Sequence, residues 1–349
     1  MEIGGINITK SVAVISEPKA VSFWSISKQI AKALKAKGVE AKVYPWTAKN
    51  LKEDNIIFMG NCFNSTINYM TRFLGDKNVV FYAVTEGVPL ISSISLQIAD
   101  SLTIVTPSQY AKQCLENAGL KVKGVIPHGI DLTVKPDLKF QARIKSFLPQ
   151  PCGVEPSNVM FCISGNVQRK GLEKLMISYK TVQHLVKDAF LVLHSGTGDL
   201  NIPGVESLLD LQRFLWTNSW GLLDPGKIAA LYRLSDFYVQ PSMVEGFGLT
   251  YLEAFQWDLP VIGVNCPATN EIVKDGYTGI LLPVTRTEDI IWQQHHAIRL
   301  HHFTVDALID AMLCLTDENT RVKMSVNAKK EKQKWDILDL YPKFLKYLQ

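Results

Sequence analysis

The chain has 349 residues, of which 47% are hydrophobic and 20% charged, with a net charge of +4. That length suits two domains with separate cores, and the composition excludes intrinsic disorder, collagen-like repeats and coiled coil. The charge is uneven: residues 1–150 carry 16 Lys and 2 Arg against 5 Asp and 6 Glu, a net of +7, and the rest a net of −3.

The opening Met1-Glu2-Ile3-Gly4-Gly5 has no basic region followed by an apolar core, so no secretory signal is expected. No apolar run reaches the length of a bilayer span. Cys62, Cys114, Cys152, Cys162, Cys266 and Cys314 form no CxxC pair, which argues against a zinc site or disulfide framework and for a reducing, cytoplasmic setting. Short apolar runs then alternate with amphipathic segments, the pattern of α/β proteins with parallel sheets. Ser11–Ser16 predicts a buried strand. Ser25–Lys37 predicts a helix with Ile26, Ile30, Ala33 and Leu34 on one face, ended by Gly38. Strands are expected at Ala41–Tyr44, Asn55–Met59, Asn78–Val84, Ser101–Thr106 and Val122–Ile126, with a helix capped by Ser108 and closed by Gly119. Pro149, Pro151, Gly153 and Pro156 mark a domain boundary near Leu148–Asn158.

The second half repeats the rhythm. Strands are expected at Val159–Ile163, Ala189–His194, Trp216–Trp220, Asp236–Gln240, Val261–Gly263 and Gly279–Leu282, with helices at Leu172–Leu185, Pro225–Arg233 and Leu249–Trp257. Ile290–Phe303 carries His295, His296, His301 and His302 without an i,i+4 pair for a metal, and reads as an extra helix. The expected fold is α/β: two tandem Rossmann-like, doubly wound domains facing a cleft, with ligands at the carboxyl ends of the strands. The expected domains are 1–148 with 336–349, and 149–335.

The stretch Pro241-Ser242-Met243-Val244-Glu245-Gly246-Phe247-Gly248-Leu249-Thr250-Tyr251-Leu252-Glu253 leads from a strand through a glycine-bearing loop into a helix. The N–H groups of Gly248, Leu249 and Thr250 at that helix start suit a phosphate. Glu245 and Glu253 are eight residues apart, about 12 Å along a helix. They cannot flank one bond as a glycosidase pair does, so they have different jobs.

This segment resembles the donor domain of retaining GT-B glycosyltransferases, the family-4-like group with an E-x7-E motif, here Glu245 and Glu253, followed by Leu259-Pro260-Val261-Ile262. The resemblance implies that Glu245 lies near the reacting sugar and that Glu253 bonds the nucleotide ribose. It implies that the loop Gly165–Gly171 brings Lys170, and Arg169 in place of the family arginine (whose position is Asn166), to the donor diphosphate. Leu223 would meet the base, and Gly246, Phe247, Gly248, Leu249 and Thr250 would line the phosphates. Ile126-Pro127-His128-Gly129-Ile130-Asp131 matches the turn closing the first domain. Tyr82–Gly87 stands where the family often has a first-domain histidine, with Glu86 the first candidate for contacting the reacting sugar or acceptor and His128 the alternative replacement.

The implied reaction is hexosyl transfer, with retention, from a UDP- or GDP-linked sugar to a glycan, lipid or protein acceptor. Cofactor and metal are not expected, since cations already meet the leaving diphosphate. Alanine at Lys170 or Glu245 is expected to lower turnover with little loss of stability. The competing readings are a non-catalytic sugar-nucleotide or glycan-binding protein and a sugar-nucleotide epimerase. A dehydrogenase is disfavoured, because Gly196-Thr197-Gly198-Asp199-Leu200-Asn201 lacks the third glycine of the dinucleotide fingerprint. Lys28, Lys32, Lys35 and Lys37 on the Trp24–Lys37 helix suggest a peripheral anionic membrane surface. Nucleic acid is not an expected partner, as the lysines lack interleaved aromatics.

Overall fold

The computed structural model describes residues 2–3, 6–7, 11–148, 157–165, 167–196, 213–217, 219 and 221–348. The boundary prolines and glycine at 149–156, Asn166 and most of the Gly196–Asn201 stretch lie outside the described residues. The chain divides into two compact units: Met1–Asp131 with Asp289–Arg299 and Trp335–Gln349, and Leu132–Glu288 with Leu300–Lys334.

The first unit opens with an antiparallel pair, β1 (Glu2–Ile3) and β2 (Ile6–Asn7). It continues through β3 (Ser11–Ser16), α1 (Val21–Ala36), β4 (Glu40–Pro45), β5 (Asn55–Asn61) and α2 (Asn64–Met70). Then come β6 (Asn78–Val84), β7 (Val88–Pro89), α3 (Ser93–Ala99), β8 (Thr103–Thr106), α4 (Gln109–Asn117) and β9 (Val122–Val125). Six of these strands form a parallel sheet in the order β4-β3-β5-β6-β8-β9. The central residues of β5 and β6 are buried without alternation, as strands covered on both faces require. Ile26, Ile30, Ala33 and Leu34 of α1 are buried, and each large apolar chain so removed from water contributes about 1.5–3 kcal/mol. Gly38 ends the helix at φ +82. Ser108 accepts from the Ala111 N–H and so fixes the start of α4.

The second unit contains α5 (Leu138–Phe147), β10 (Asn158–Ser164), α6 (Leu172–Leu185), β11 (Ala189–Ser195), β12 (Phe214–Thr217), α7 (Pro225–Leu234) and β13 (Phe237–Gln240). It continues with α8 (Leu249–Gln256), β14 (Val261–Val264), α9 (Pro267–Asn270) and β15 (Gly279–Leu282). Its parallel sheet runs β12-β11-β10-β13-β14-β15. The chain winds outward from β10 one way, then returns and winds from β13 the other way. The switch point therefore lies between the carboxyl ends of β10 and β13, where doubly wound sheets bind ligands. After the hairpin of β16 (Arg286–Trp292) and β17 (His296–His302) come α10 (Val305–Thr316), α11 (Glu318–Glu331) and α12 (Ile337–Leu340).

These two parallel-sheet α/β domains form the tandem Rossmann-like arrangement of the GT-B fold. Two expectations need correction. The first unit ends at Asp131, not at the prolines, because α5 packs on α7 and the Asp137 N–H donates to the Gly226 carbonyl at 2.9 Å. Ile290–Phe303 is a strand hairpin, not a helix. His296, Ile298 and Leu300 are buried at a period of two, and Gln293 and Gln294 turn the chain with φ of +49 and +62. Part of β17 adds to β7, with His296 opposite Pro89 and Ala297 opposite Val88. Within the first unit, the last segment joins Gly129–Ile130, since the Ile130 N–H donates to the Trp335 carbonyl at 2.7 Å.

Candidate functional site

At the switch point, β10 ends in Ser164 and hands over to Gly165, which has no atom within 4 Å of where a Cβ would sit. A 3-10 turn, Gln168–Lys170, then closes on Gly171 at φ +67. A Cβ on Gly171 would lie 2.2 Å from the Pro241 carbonyl oxygen, so only glycine lets this loop press against the loop after β13. The Met243 N–H donates to the Arg169 carbonyl at 2.8 Å and locks the two loops together.

This contact delivers the Lys170 Nζ to 2.5 Å from Glu245 Oε1, with the two side chains 15% and 10% exposed. Gln240 Nε2 donates to the same oxygen at 3.2 Å. Arg169 Nη1 approaches the Val244 carbonyl at 3.5 Å. Burial alone disfavours a charged Glu245; Lys170 and Arg169 together outweigh it and hold the carboxyl below its usual range. Lys170 thus meets an anion whose charge is already committed to it.

Tyrosines set this geometry from beneath. Tyr238 Oη donates to Gln240 Oε1 at 2.7 Å, which turns the amide so that its Nε2 faces Glu245. Tyr251 Oη donates to the Gln240 carbonyl at 3.0 Å. Gly248 at φ +102 starts α8; Gly246, Phe247 and Gly248 are buried, whereas Leu249 and Thr250 are half-buried. The N–H groups of that first turn have no acceptor within the helix and suit an anion. Glu253 points elsewhere: its Oε2 accepts from Tyr232 Oη at 2.9 Å, and burial raises its carboxyl to about 7. Leu223 is half-buried directly before Asp224, which caps α7 through the Lys227 N–H.

In the first unit, Glu86 is half-buried and its carbonyl accepts from Tyr110 Oη at 3.1 Å. The next residue, Gly87, is wedged against β17, where a Cβ would lie 2.3 Å from the Ala297 carbonyl. His128 is buried, and burial pushes its imidazole down to about 3, so it is neutral at physiological pH. Tyr82 Oη donates its one proton to the Ile126 carbonyl at 2.7 Å; His128 Nδ1, 2.8 Å from the same hydroxyl, must therefore carry a proton and donate. The exposed lysines of α1 include Lys32, paired with Asp131 at 2.6 Å, and Lys28, 5.7 Å over the Trp24 ring. Among the described residues no three His, Cys, Asp or Glu side chains gather as a metal site. No described helix is long and apolar enough to cross a membrane.

The structure thus brings Lys170, Arg169 and Glu245 together and keeps Glu253 on a separate partner. Sequence reasoning missed Gln240, Tyr232, Tyr238 and Tyr251. The available signal was a glutamine closing the buried strand Phe237–Gln240, where a polar residue needs a partner.

Residues 154–299 match the family model of Glycosyl transferases group 1. An uncharacterized glycosyltransferase of Sulfolobus islandicus rod-shaped virus 1 is 22% identical over 283 residues, covering 78% of this chain and 80% of that protein. The alpha-monoglucosyldiacylglycerol synthase of Streptococcus pneumoniae is 26% identical over 240 residues, covering 68% of this chain and 52% of the synthase. Among solved structures, Anabaena HepE in complex with UDP and glucose superposes with a TM-score of 0.68 at 15% identity, covering 97% of this chain and 99% of that one. The fold is thus that of GT-B proteins, and residues 154–299 resemble the group 1 glycosyl transferases.

Proposed function

We propose that the protein is a retaining glycosyltransferase that moves a hexosyl group from a UDP- or GDP-linked sugar to an acceptor hydroxyl. The buried Lys170–Glu245 pair at the switch point of the second sheet carries this reading. It lies within the segment that matches Glycosyl transferases group 1. Gly165, Arg169, Lys170, Leu223, Gly246, Phe247, Gly248, Leu249, Thr250 and Glu253 would hold the donor. As the diphosphate leaves, negative charge grows where Lys170, Arg169 and the first turn of α8 can meet it. Glu245 orients Lys170 and stabilises the positive charge that develops on the departing sugar, and Glu86 would be the first unit's candidate for contacting the sugar or the acceptor. These cations supply the charge neutralisation that a divalent metal would otherwise bring, so transfer is expected to persist in chelator.

One relative is a synthase of a glucosyl lipid, and one structural neighbour holds UDP and glucose. The first favours a lipid acceptor and the second a UDP-hexose donor. The α1 lysines Lys28, Lys32 and Lys35 would face an anionic acceptor or membrane surface. Co-sedimentation with vesicles should then rise with anionic lipid content, and indifference to it sinks the membrane part.

Thermal unfolding with UDP, GDP and ADP tests donor binding first; a ligand at 100 times its Kd adds about 2.7 kcal/mol. Labelled sugar conjugates then test transfer. Label on an acceptor, or released to water, with retained anomeric configuration by NMR, supports the reading. Donor bound but left intact indicates a binding protein, and donor interconverted without acceptor indicates an epimerase.

A further inference from the structure

The β16–β17 hairpin has no part in the reading above, yet its last strand ends against the donor site. The backbone N–H of His301 donates to the Met243 carbonyl at 2.9 Å. Its ring Nδ1 lies 3.2 Å from the same oxygen, and the imidazole is buried at 9% exposure. A carbonyl only accepts, so Nδ1 carries a proton and this oxygen receives two hydrogen bonds from one residue. The Met243 N–H in turn donates to the Arg169 carbonyl at 2.8 Å. Lys170 follows Arg169 directly, and Glu245 stands two residues beyond Met243.

We propose that His301 is a positioning residue: its ring and backbone clamp the Met243 peptide and so hold Lys170 and Glu245 in register. As a statement about catalysis this rests on the transferase reading. The clamp has a fixed base that does not depend on the imidazole. Thr285 donates its N–H to the His302 carbonyl at 2.8 Å, and Lys174 Nζ donates to the Phe303 carbonyl at 2.5 Å. Lys174 also sits 4.4 Å over the Phe303 ring, and His302 Nε2 is 2.8 Å from Glu288. The backbone is thus anchored just beyond the Met243 contact, at His302 and Phe303, and the ring adds a second bond to the one the His301 N–H makes. Burying an imidazole is costly unless it is hydrogen-bonded, and its partner here is the loop that carries Glu245. A displacement of about 1 Å in such a pair is enough to cost about 100-fold in rate.

His301→Asn keeps an N–H donor at the δ position, whereas His301→Leu removes it and His301→Gln moves it one bond outward. Turnover of a UDP-sugar is expected to fall about 10-fold or more in His301→Leu and His301→Gln, with donor KM within about threefold, and to stay within about threefold in His301→Asn. Amide exchange of the 241–248 segment in the ligand-free protein should accelerate in the Leu and Gln variants and not in Asn. If His301→Leu does not fold, His301→Gln takes its place. Wild-type turnover and exchange in the Leu and Gln variants, or a loss in His301→Asn as large as theirs, overturns the clamp. Should the wild-type protein turn over no sugar nucleotide, the transferase reading fails, and the exchange data alone decide the clamp.

Discussion

Both parallel sheets bury tyrosines near their carboxyl ends, and the two sets are wired differently. In the first unit, Tyr82 closes on the Ile126 carbonyl and a neutral His128, and its ring packs edge-on against Phe344 at 5.0 Å. Every group in that knot is neutral. In the second unit, Tyr238 and Tyr251 hold Gln240, which donates to Glu245, while Tyr232 donates to Glu253. The second network ends in carboxylates, one paired with Lys170 and one raised to about 7. A doubly wound sheet can thus use one residue type to seal a core or to aim charge. The difference lies in whether the last partner is a carbonyl or an acid.

If the second network serves chemistry and the first only stability, Glu245→Gln should lower turnover by about 100- to 1,000-fold in single-turnover assays. Glu245→Gln at wild-type rate would break that division. Lys170→Ala is expected to lose activity and also stability. Its partner is buried, so the little loss of stability expected from sequence does not hold: an uncompensated Glu245 should cost about 3 kcal/mol in urea unfolding. Gly171→Ala drives a Cβ into the Pro241 carbonyl at a positive φ, and should cost about 2 kcal/mol or more while parting the two loops.

Acidification probes the first knot. The folded pKa of His128, about 3, lies below its unfolded value of about 6.5, so between these the unfolded state binds more protons. Stability should therefore fall as pH drops through this window, by about 2 kcal/mol at pH 5, and His128→Asn should flatten the slope. An unchanged slope would mean that His128 does not contribute to the acid loss. Tyr82→Phe, the smallest change, should cost about 1–3 kcal/mol by leaving the Ile126 carbonyl and the His128 donor without the hydroxyl, and leave turnover within about threefold.

Periodicity and capping residues determined much of the fold before any coordinates. The uninterrupted apolar runs of β5 and β6, the Ser108 cap and the Gly38 stop are local signals, and each element formed where they predicted it. Glu245 and Lys170 were legible as site candidates through their resemblance to glycosyltransferase motifs, in loops that follow strand ends. Their salt bridge was not legible. It depends on Gly171 packing against Pro241, a contact between residues 70 apart that no local pattern encodes. The hairpin was misread because a Gln-Gln turn carries no Gly or Asn signal, and short alternating segments with histidines fit either helix or strand. The domain boundary was drawn at prolines when the packing of α5 on α7 set it at Asp131. Sequence thus determined which elements form and which loops end at the sheet edges. Tertiary structure alone decided which side chains meet there, because burial, the balance of charge and the carbonyl that each donor finds are properties of distant neighbours.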